Sequence, residues 1–312
     1  MVTLLTRQHK HQRMSPLRRR EARAGFFFVL PWLVSLLVFT IYPIIATIFF
    51  SFTDYNIIQA PHWIGLANYQ TMFTADPDFW RSVGNSAYYA LISVPLGLIM
   101  ALLLALLLNA HARGIGIYRT IFYLPTLVPP VASTIIFMLL FTPNSSGLIN
   151  MLLGIFGIPA QGWLTDANQA RPVLIFLSLW GLGAATLIFL AGLQDIPATL
   201  LEAATIDGAG YWRRFWHITL PLLSPVLLFN LVMGVISSFQ VFTQALVVGG
   251  TTGAPQGSTL MFMVIIYRSA FRYFSMGYAS ALSVLLFVVV LIVTLLIFWS
   301  ARLWVFYEGG RS

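Results

Sequence analysis

Asn230, Ser237 and Gln244 recur at seven-residue intervals, and Gln240 lies three residues beyond Ser237. On a helix these positions share one face. Amides and hydroxyls donate and accept hydrogen bonds without carrying charge, which suits a neutral polyhydroxy ligand. The surrounding residues are apolar, and a row of amides facing lipid is costly. The stripe must therefore face a neighbouring helix or an aqueous path. Two readings stay open, interhelical hydrogen bonding and a substrate route. Ser133 and Thr134, Trp180 and Ser283 lie in other apolar stretches and are further candidates for that route.

Groups that perform covalent chemistry do not converge. The chain has no Cys, which removes disulfides, thiolate metal sites and Cys nucleophiles. It lacks a G-x-x-x-x-G-K-[ST] phosphate loop, and its one lysine, Lys10, lies near the N-terminus. ATP is therefore not bound in the P-loop manner. His9, His11, His62, His111 and His217 lie outside the apolar runs, as do all the carboxylates. No metal cluster or acid–base pair is expected at membrane depth, and no metal is expected at all. Ion-coupled transporters normally hold ionisable groups there, so their absence favours energy supplied from outside the membrane. Sodium sites made of carbonyls and hydroxyls need no such group and leave an alternative, a self-sufficient secondary transporter or channel.

The elements that must position these residues are membrane helices. The chain is 59% apolar and 8% charged, against about a quarter charged in soluble domains. Six uncharged runs, 26–52, 86–109, 121–141, 172–194, 222–248 and 276–300, each reach the ~20 residues that a spanning helix needs. Helices satisfy every backbone amide within the segment. Pro and Gly inside the runs, Pro129, Pro130, Gly181 and Gly183 among them, mark kinks or close crossings. The first run far exceeds the ~7–15 residues of a signal-peptide core and reads as retained. The segments 147–164 and 260–267 are too broken or too short to span, and read as helices lying at the outer membrane surface.

The net charge of +8 follows the spans rather than any nucleic-acid pattern. With the N-terminus inside, only Arg81, Arg171, Arg268 and Arg272 of the 17 basic residues fall on outer segments. That bias predicts six spans with both termini cytoplasmic. The organisation is then a basic N-terminal tail over 1–24, a membrane domain over 25–301 and a short C-terminal tail over 302–312.

Residues 197–221 form a polar island between the fourth and fifth runs. Pro197 suits a helix start, and Glu202 follows within the first turn or two, where negative charge complements the helix dipole. Asp207-Gly208 reads as a stop and turn, because Gly takes the left-handed conformation cheaply. A second short helix over 211–220 leads into Pro221. The outcome is a helix–turn–helix knob on the cytoplasmic face.

This island resembles the EAA loop of permease subunits of bacterial binding-protein-dependent ABC importers. Glu202-Ala203-Ala204, Asp207-Gly208-Ala209, the aromatic Tyr211 and Ile218-Thr219-Leu220-Pro221 carry the likeness. It continues through Tyr42-Pro43, Asn68-Tyr69, Phe79-Trp80, Leu124-Pro125, Ser237-Ser238-Phe239-Gln240 and Met276-Gly277-Tyr278, most like the first permease of sugar and glycerol-3-phosphate importers. Residues 249–255 depart from the tighter Gly-Gly-Gly-Pro of relatives, and the loops leave no room for the extra outer domain of the maltose permease.

The resemblance implies an all-α integral membrane protein of the type I ABC importer permease fold in the inner, cytoplasmic membrane. It implies a translocation subunit for a sugar or polyol, not an enzyme and without cofactor, since ATP and Mg would be held by a partner. The implied partners are a second homologous permease forming a heterodimer, two ATPase subunits, an extracytoplasmic solute-binding protein, membrane lipid and a small polyhydroxy substrate. Nucleic acid is not among them. Glu202, Ala203, Ala204, Asp207, Gly208, Ala209, Tyr211 and Phe215 are then the ATPase-coupling residues, with small Ala side chains fitting a groove. Tyr211, Trp212, Phe215 and Trp216 either fill apolar pockets of the partner or pack against this chain's own helix ends.

Overall fold

The computed structural model describes residues 16–110 and 114–306. Most of the expected basic tail, His111 and Arg113 of the inner turn, and positions 307–312 lie outside the described residues. The chain divides into two units, 1–49 and 50–312.

In the first unit, α1 (Pro16–Leu36) passes through a π-helical turn, Leu37–Ile41, into α2 (Tyr42–Phe50). Helix therefore begins at Pro16, ten residues before the apolar run, so Arg20 and Arg23 ride on it. Pro43 lies two residues beyond the π turn. The wider ring, closed by Tyr42 N–H to Leu37 O, accommodates a residue that has no amide to give.

In the second unit, α3 (Ala67–Thr74) leads to the long α4 (Pro77–Leu108). The start of α4 is fixed locally: Pro77 opens it, and Asp76 Oδ1 accepts Asp78 N–H at 2.9 Å. Further along, α5 (Ile115–Tyr123) continues through a 3-10 turn, Leu124–Leu127, towards α6 (Pro130–Leu140). The pair bends by 98° at Val128-Pro129. Two successive prolines remove two amides and push the residues before them into extended backbone, so the expected kink is a right-angled break. After α7 (Leu148–Ile155) come α8 (Ala167–Ser178) and α9 (Gly183–Gln194), bent by 50° at the 3-10 turn Leu179–Gly181.

The polar island folds as α10 (Ala198–Ile206) and α11 (Tyr211–Arg214). The second helix is not separate, as expected, but runs through a π turn, Phe215–Thr219, into α12 (Leu220–Phe239). Again the π turn sits just before a proline, Pro221, and lets the helix continue. Then come α13 (Thr243–Gly249), α14 (Phe262–Tyr267), a π turn at Arg268–Arg272, and α15 (Met276–Trp304). Among the described residues there is no strand, only a bridge between Thr53 and Trp63. Four helices are long and apolar enough to cross a membrane, or six if each bent pair counts as one span.

α4 is the axis of the second unit. Its N-terminal end contributes Phe79 to a cluster with Met72 of α3, Phe262 and Ile265 of α14, and Ala281 and Leu282 of α15. Tyr89 packs with Leu174 and Ile175 of α8, Ala245 of α13, and Met261 and Val264. Ala101, Ala105 and Leu108 meet Phe189 and Leu193 of α9 and Leu223 of α12.

The segment 260–267 contains the short helix α14 and is packed inside the second unit. Leu260, Met261, Val264 and Ile265 are fully buried. Polar side chains of α4 hold it there: Asn85 Nδ2 donates to Gly257 O at 2.8 Å and Leu260 O at 3.1 Å, and Ser86 Oγ accepts Phe262 N–H at 2.9 Å. Within 147–164, Leu148–Ile155 is α-helical, with Ile155 and Phe156 exposed, and a 3-10 turn, Trp163–Thr165, begins near the end of the range. The rest is loop organised by buried Asn150, which donates to Gln161 O and accepts from Gln161 N–H and Trp163 Nε1.

Candidate functional site

Two features stand out, one at each level of the bundle. The first is the α10–α11 hairpin. Pro197 precedes the first helical residue, as expected, and Glu202 falls in the second turn, exposed and without an ion-pair or hydrogen-bond partner among the described residues. α10 ends on Asp207, and Gly208 takes φ +77. Ala209 N–H reaches Ala204 O at 2.8 Å and Gly208 N–H reaches Thr205 O at 3.0 Å. This pair of bonds closes the helix end with orphan carbonyls satisfied, and it requires the positive φ that Gly supplies. The turn is braced from the side, since Arg214 Nη1 donates to Thr205 Oγ1 at 2.7 Å while that hydroxyl donates to Leu201 O at 2.6 Å.

Ala203 and Asp207 are exposed, and Ala204 and Ala209 are half-buried. Tyr211, Trp212 and Trp216 are all exposed and Phe215 is half-buried; Tyr211 and Phe215 also line a cavity with Leu106, Leu193 and Ile196 from the ends of this chain's own helices.

The second feature is a cavity of about 430 Å³ within the second unit, bounded by α4, the α8–α9 bend, α12 and α13. Asn230, Ser237, Gln240 and Gln244 all line it, together with Tyr89, Ser93, Ser178 and Ser238. They do not share one helix as expected. α12 ends at Phe239, Gln240 N–H turns back to Ser237 O at 3.2 Å, and Gln244 belongs to α13. The break returns Gln244 to the same space by a turn rather than by periodicity. Asn230 Nδ2 donates to Val226 O of its own helix at 3.0 Å.

No charged residue lines this cavity. Gly97, Gly181 and Gly234 stand in its walls, and a Cβ on Gly234 would meet Val94 Cγ1 at 3.4 Å. Ser133 and Trp180 are not among its lining residues. Ser133 Oγ donates to Pro130 O at 3.0 Å, and Trp180 packs edge-on to Phe137 at 5.4 Å with its ring half exposed. Among the described residues no group of three or more His, Asp or Glu side chains converges as a metal site would need.

The model of one protein family, described as the binding-protein-dependent transport system inner membrane component, matches residues 93–304. The chain belongs to that family.

The match takes in the cavity-bearing helices α8, α9, α12 and α13 and the whole hairpin. Relatives cover nearly the full length. The chain is 43% identical over 296 residues to the probable ABC transporter permease protein YesP of Bacillus subtilis, covering 94% of this chain and 95% of that one. It is 37% identical over 286 residues to the trehalose/maltose transport system permease protein MalF of Thermococcus litoralis, covering 90% and 94%. Among solved structures, a chain of a bacterial ABC transporter importing the acidic polysaccharide alginate superposes with a TM-score of 0.80 at 26% identity, covering 92% of this chain and 98% of that one. A second structure holds the alginate transporter in complex with an alginate pentasaccharide-bound periplasmic protein, with a TM-score of 0.81 at 25% identity, covering 92% and 96%. In this inner membrane component the exposed hairpin and the uncharged cavity are thus two parts of one membrane-embedded unit.

Several supporting residues carry no signal in sequence. Arg214 bracing Thr205 pairs two residues nine apart across a turn. Asn85 bridges to a loop 172 residues away, and only its polarity beside an apolar run hints at a partner.

Proposed function

We propose that this chain is the translocation subunit of an ATP-driven importer that carries a sugar or related polyol across the inner membrane. The observation that carries the reading is the uncharged cavity lined by Asn230, Ser237, Gln240 and Gln244. Amides and hydroxyls bind hydroxyl groups by donating and accepting in turn, and they impose no net charge on the passing solute. The relatives named for trehalose, maltose and lactose transport support the same class of solute.

The work is divided between the two features. Glu202, Ala203, Ala204, Asp207, Gly208, Ala209, Tyr211 and Phe215 form the coupling surface, received by a groove on a separate ATPase subunit. That partner holds ATP and Mg, and two copies of it serve this chain and a second, homologous permease. A solute-binding protein delivers the substrate to the outer loops. When the ATPase pair closes, the hairpin transmits the motion to α12, with which α11 is continuous, so displacement of the hairpin bears on the helix carrying Asn230 and Ser237. In this arrangement 1–24 and 302–312 are cytoplasmic tails and 25–301 is the membrane domain, with six spans.

Copurification after detergent extraction tests the reading. The wild type is expected to bring an ATPase subunit with it, and Gly208→Asp or Glu202→Lys to lose both that association and solute uptake. Association and uptake retained in both variants overturn the docking role. Uptake by the purified chain alone in liposomes, driven by an ion or solute gradient, would instead establish a self-sufficient transporter.

A further inference from the structure

A second cavity, of about 410 Å³, lies behind the hairpin, between it and the ends of α4 and α9. Its walls are chemically divided. Leu106, Leu193, Ile196 and Leu201 make one side apolar, while Asn109 and Arg214 bring an amide and a guanidinium to the same space. Arg214 is half-buried and uses Nη1 on the Thr205 hydroxyl, and no carboxylate pairs with it among the described residues. A guanidinium has five donors in a fixed fork, well shaped for two oxygens of a phosphoryl group. A partly desolvated cation beside an apolar wall calls for an anion attached to hydrocarbon. Free phosphate satisfies only the first half of that requirement, and a neutral sugar neither half.

The setting supplies such a molecule. On α4, Leu103 and Leu107 flank the cavity-lining Leu106 and are exposed, as side chains facing lipid are. Basic pockets at the membrane end of helix bundles are where anionic headgroups bind. The terminal carbonyls of α4 are the adverse element for an anion, and one of them, Leu108 O, is already covered by Arg119 Nη2 at 3.1 Å.

We infer that this cavity is a binding site for an anionic phospholipid, with the phosphoryl group on Arg214 and acyl carbon against Leu106 and Leu201. A lipid there touches α4, α9 and both helices of the hairpin, so it stiffens the joint between the hairpin and the bundle.

Native mass spectrometry of the purified full chain from equimolar phosphatidylglycerol and phosphatidylcholine tests this directly. The wild type is expected to retain phosphatidylglycerol in preference. Arg214→Gln should lower that retention about fivefold, the factor for one basic residue near a lipid phosphate, and Arg214→Lys should keep most of it. Leu201→Phe, which fills the cavity and leaves Arg214 in place, should also lose the lipid, whereas Arg213→Gln at the exposed neighbour should not. Equal retention by wild type, R214Q and L201F overturns the site. So does displacement of the lipid by excess inorganic phosphate, which would mean that a free phosphoryl group is the ligand.

Discussion

Arg268 Nη2 lies 2.8 Å from Asp78 Oδ2, joining the π turn after α14 to the first turn of α4 across 190 residues of chain. Asp78 Oδ1 holds Arg81 at 3.2 Å, and the preceding acid, Asp76, accepts the Tyr278 hydroxyl at 2.6 Å. Two carboxylates at the head of α4 therefore tie it to α14 and α15. The Arg268 residue is 8% exposed and its guanidinium also lies over the Tyr273 ring, at 5.6 Å. A buried cation is tolerable only while its counter-charge remains.

Asp78→Asn should consequently destabilise the protein by about 3 kcal/mol, because it strands the Arg268 charge. Thermal unfolding in detergent, followed by tryptophan fluorescence, measures it. Arg81→Met removes the exposed partner of the same carboxylate and should cost below about 1 kcal/mol. Equal losses would mean that the Arg268 contact is as solvated as the Arg81 one.

Asn85→Leu should cost about 2 kcal/mol. It leaves Gly257 O and Leu260 O without their donor in a region closed to water, and an unmet buried carbonyl is more expensive than a lost bond. The same melting experiment reads it. The loop 249–260 should then become the first site of proteolysis, and an unchanged cleavage pattern would contradict its anchoring by α4.

Gly277→Ala should cost about 2 kcal/mol or more, since a Cβ there would lie 1.9 Å from Thr53 O and backbone must shift to admit it. Gly208→Ala presents the opposite case. Nothing lies within 4 Å of the added Cβ, but φ is +77. The expected cost is about 1 kcal/mol of local strain, without a clash. Melting shifts of similar size at the two positions would refute the close approach at Gly277.

Gly234→Phe should fill the cavity and abolish solute uptake while ATPase copurification persists, because the hairpin is untouched. Asn230→Leu should reduce uptake less, since only one amide is lost. Parallel uptake and pull-down assays separate these outcomes, and normal transport by Gly234→Phe would remove the cavity from the path.

Much of this could be read from residues in order along the chain. The apolar runs announce helices because a peptide group without water must bond within its own segment. The stop at Asp207-Gly208 was legible for a similar reason, because only a residue tolerating positive φ closes a helix that way, and the bonds around Gly208 have that form. The shared face expected of Asn230, Ser237, Gln240 and Gln244 rested on one unbroken helix, and that premise failed. The turn at Gln240 brings Gln244 back to the same space.

What the order of residues determined was element type and local punctuation: where helices run, where prolines interrupt them, and where a polar island separates two apolar runs. Each of these depends on neighbours within a few positions. Tertiary structure alone decided that Val128-Pro129 is a right-angled break, that α11 and α12 are one rod, and that 260–267 is buried against α4 and its neighbours. Length and hydropathy cannot tell an apolar segment facing lipid from one facing protein, since both are equally dry. Only partners such as Asn85 and Asp78, reaching across more than 170 residues, make the difference.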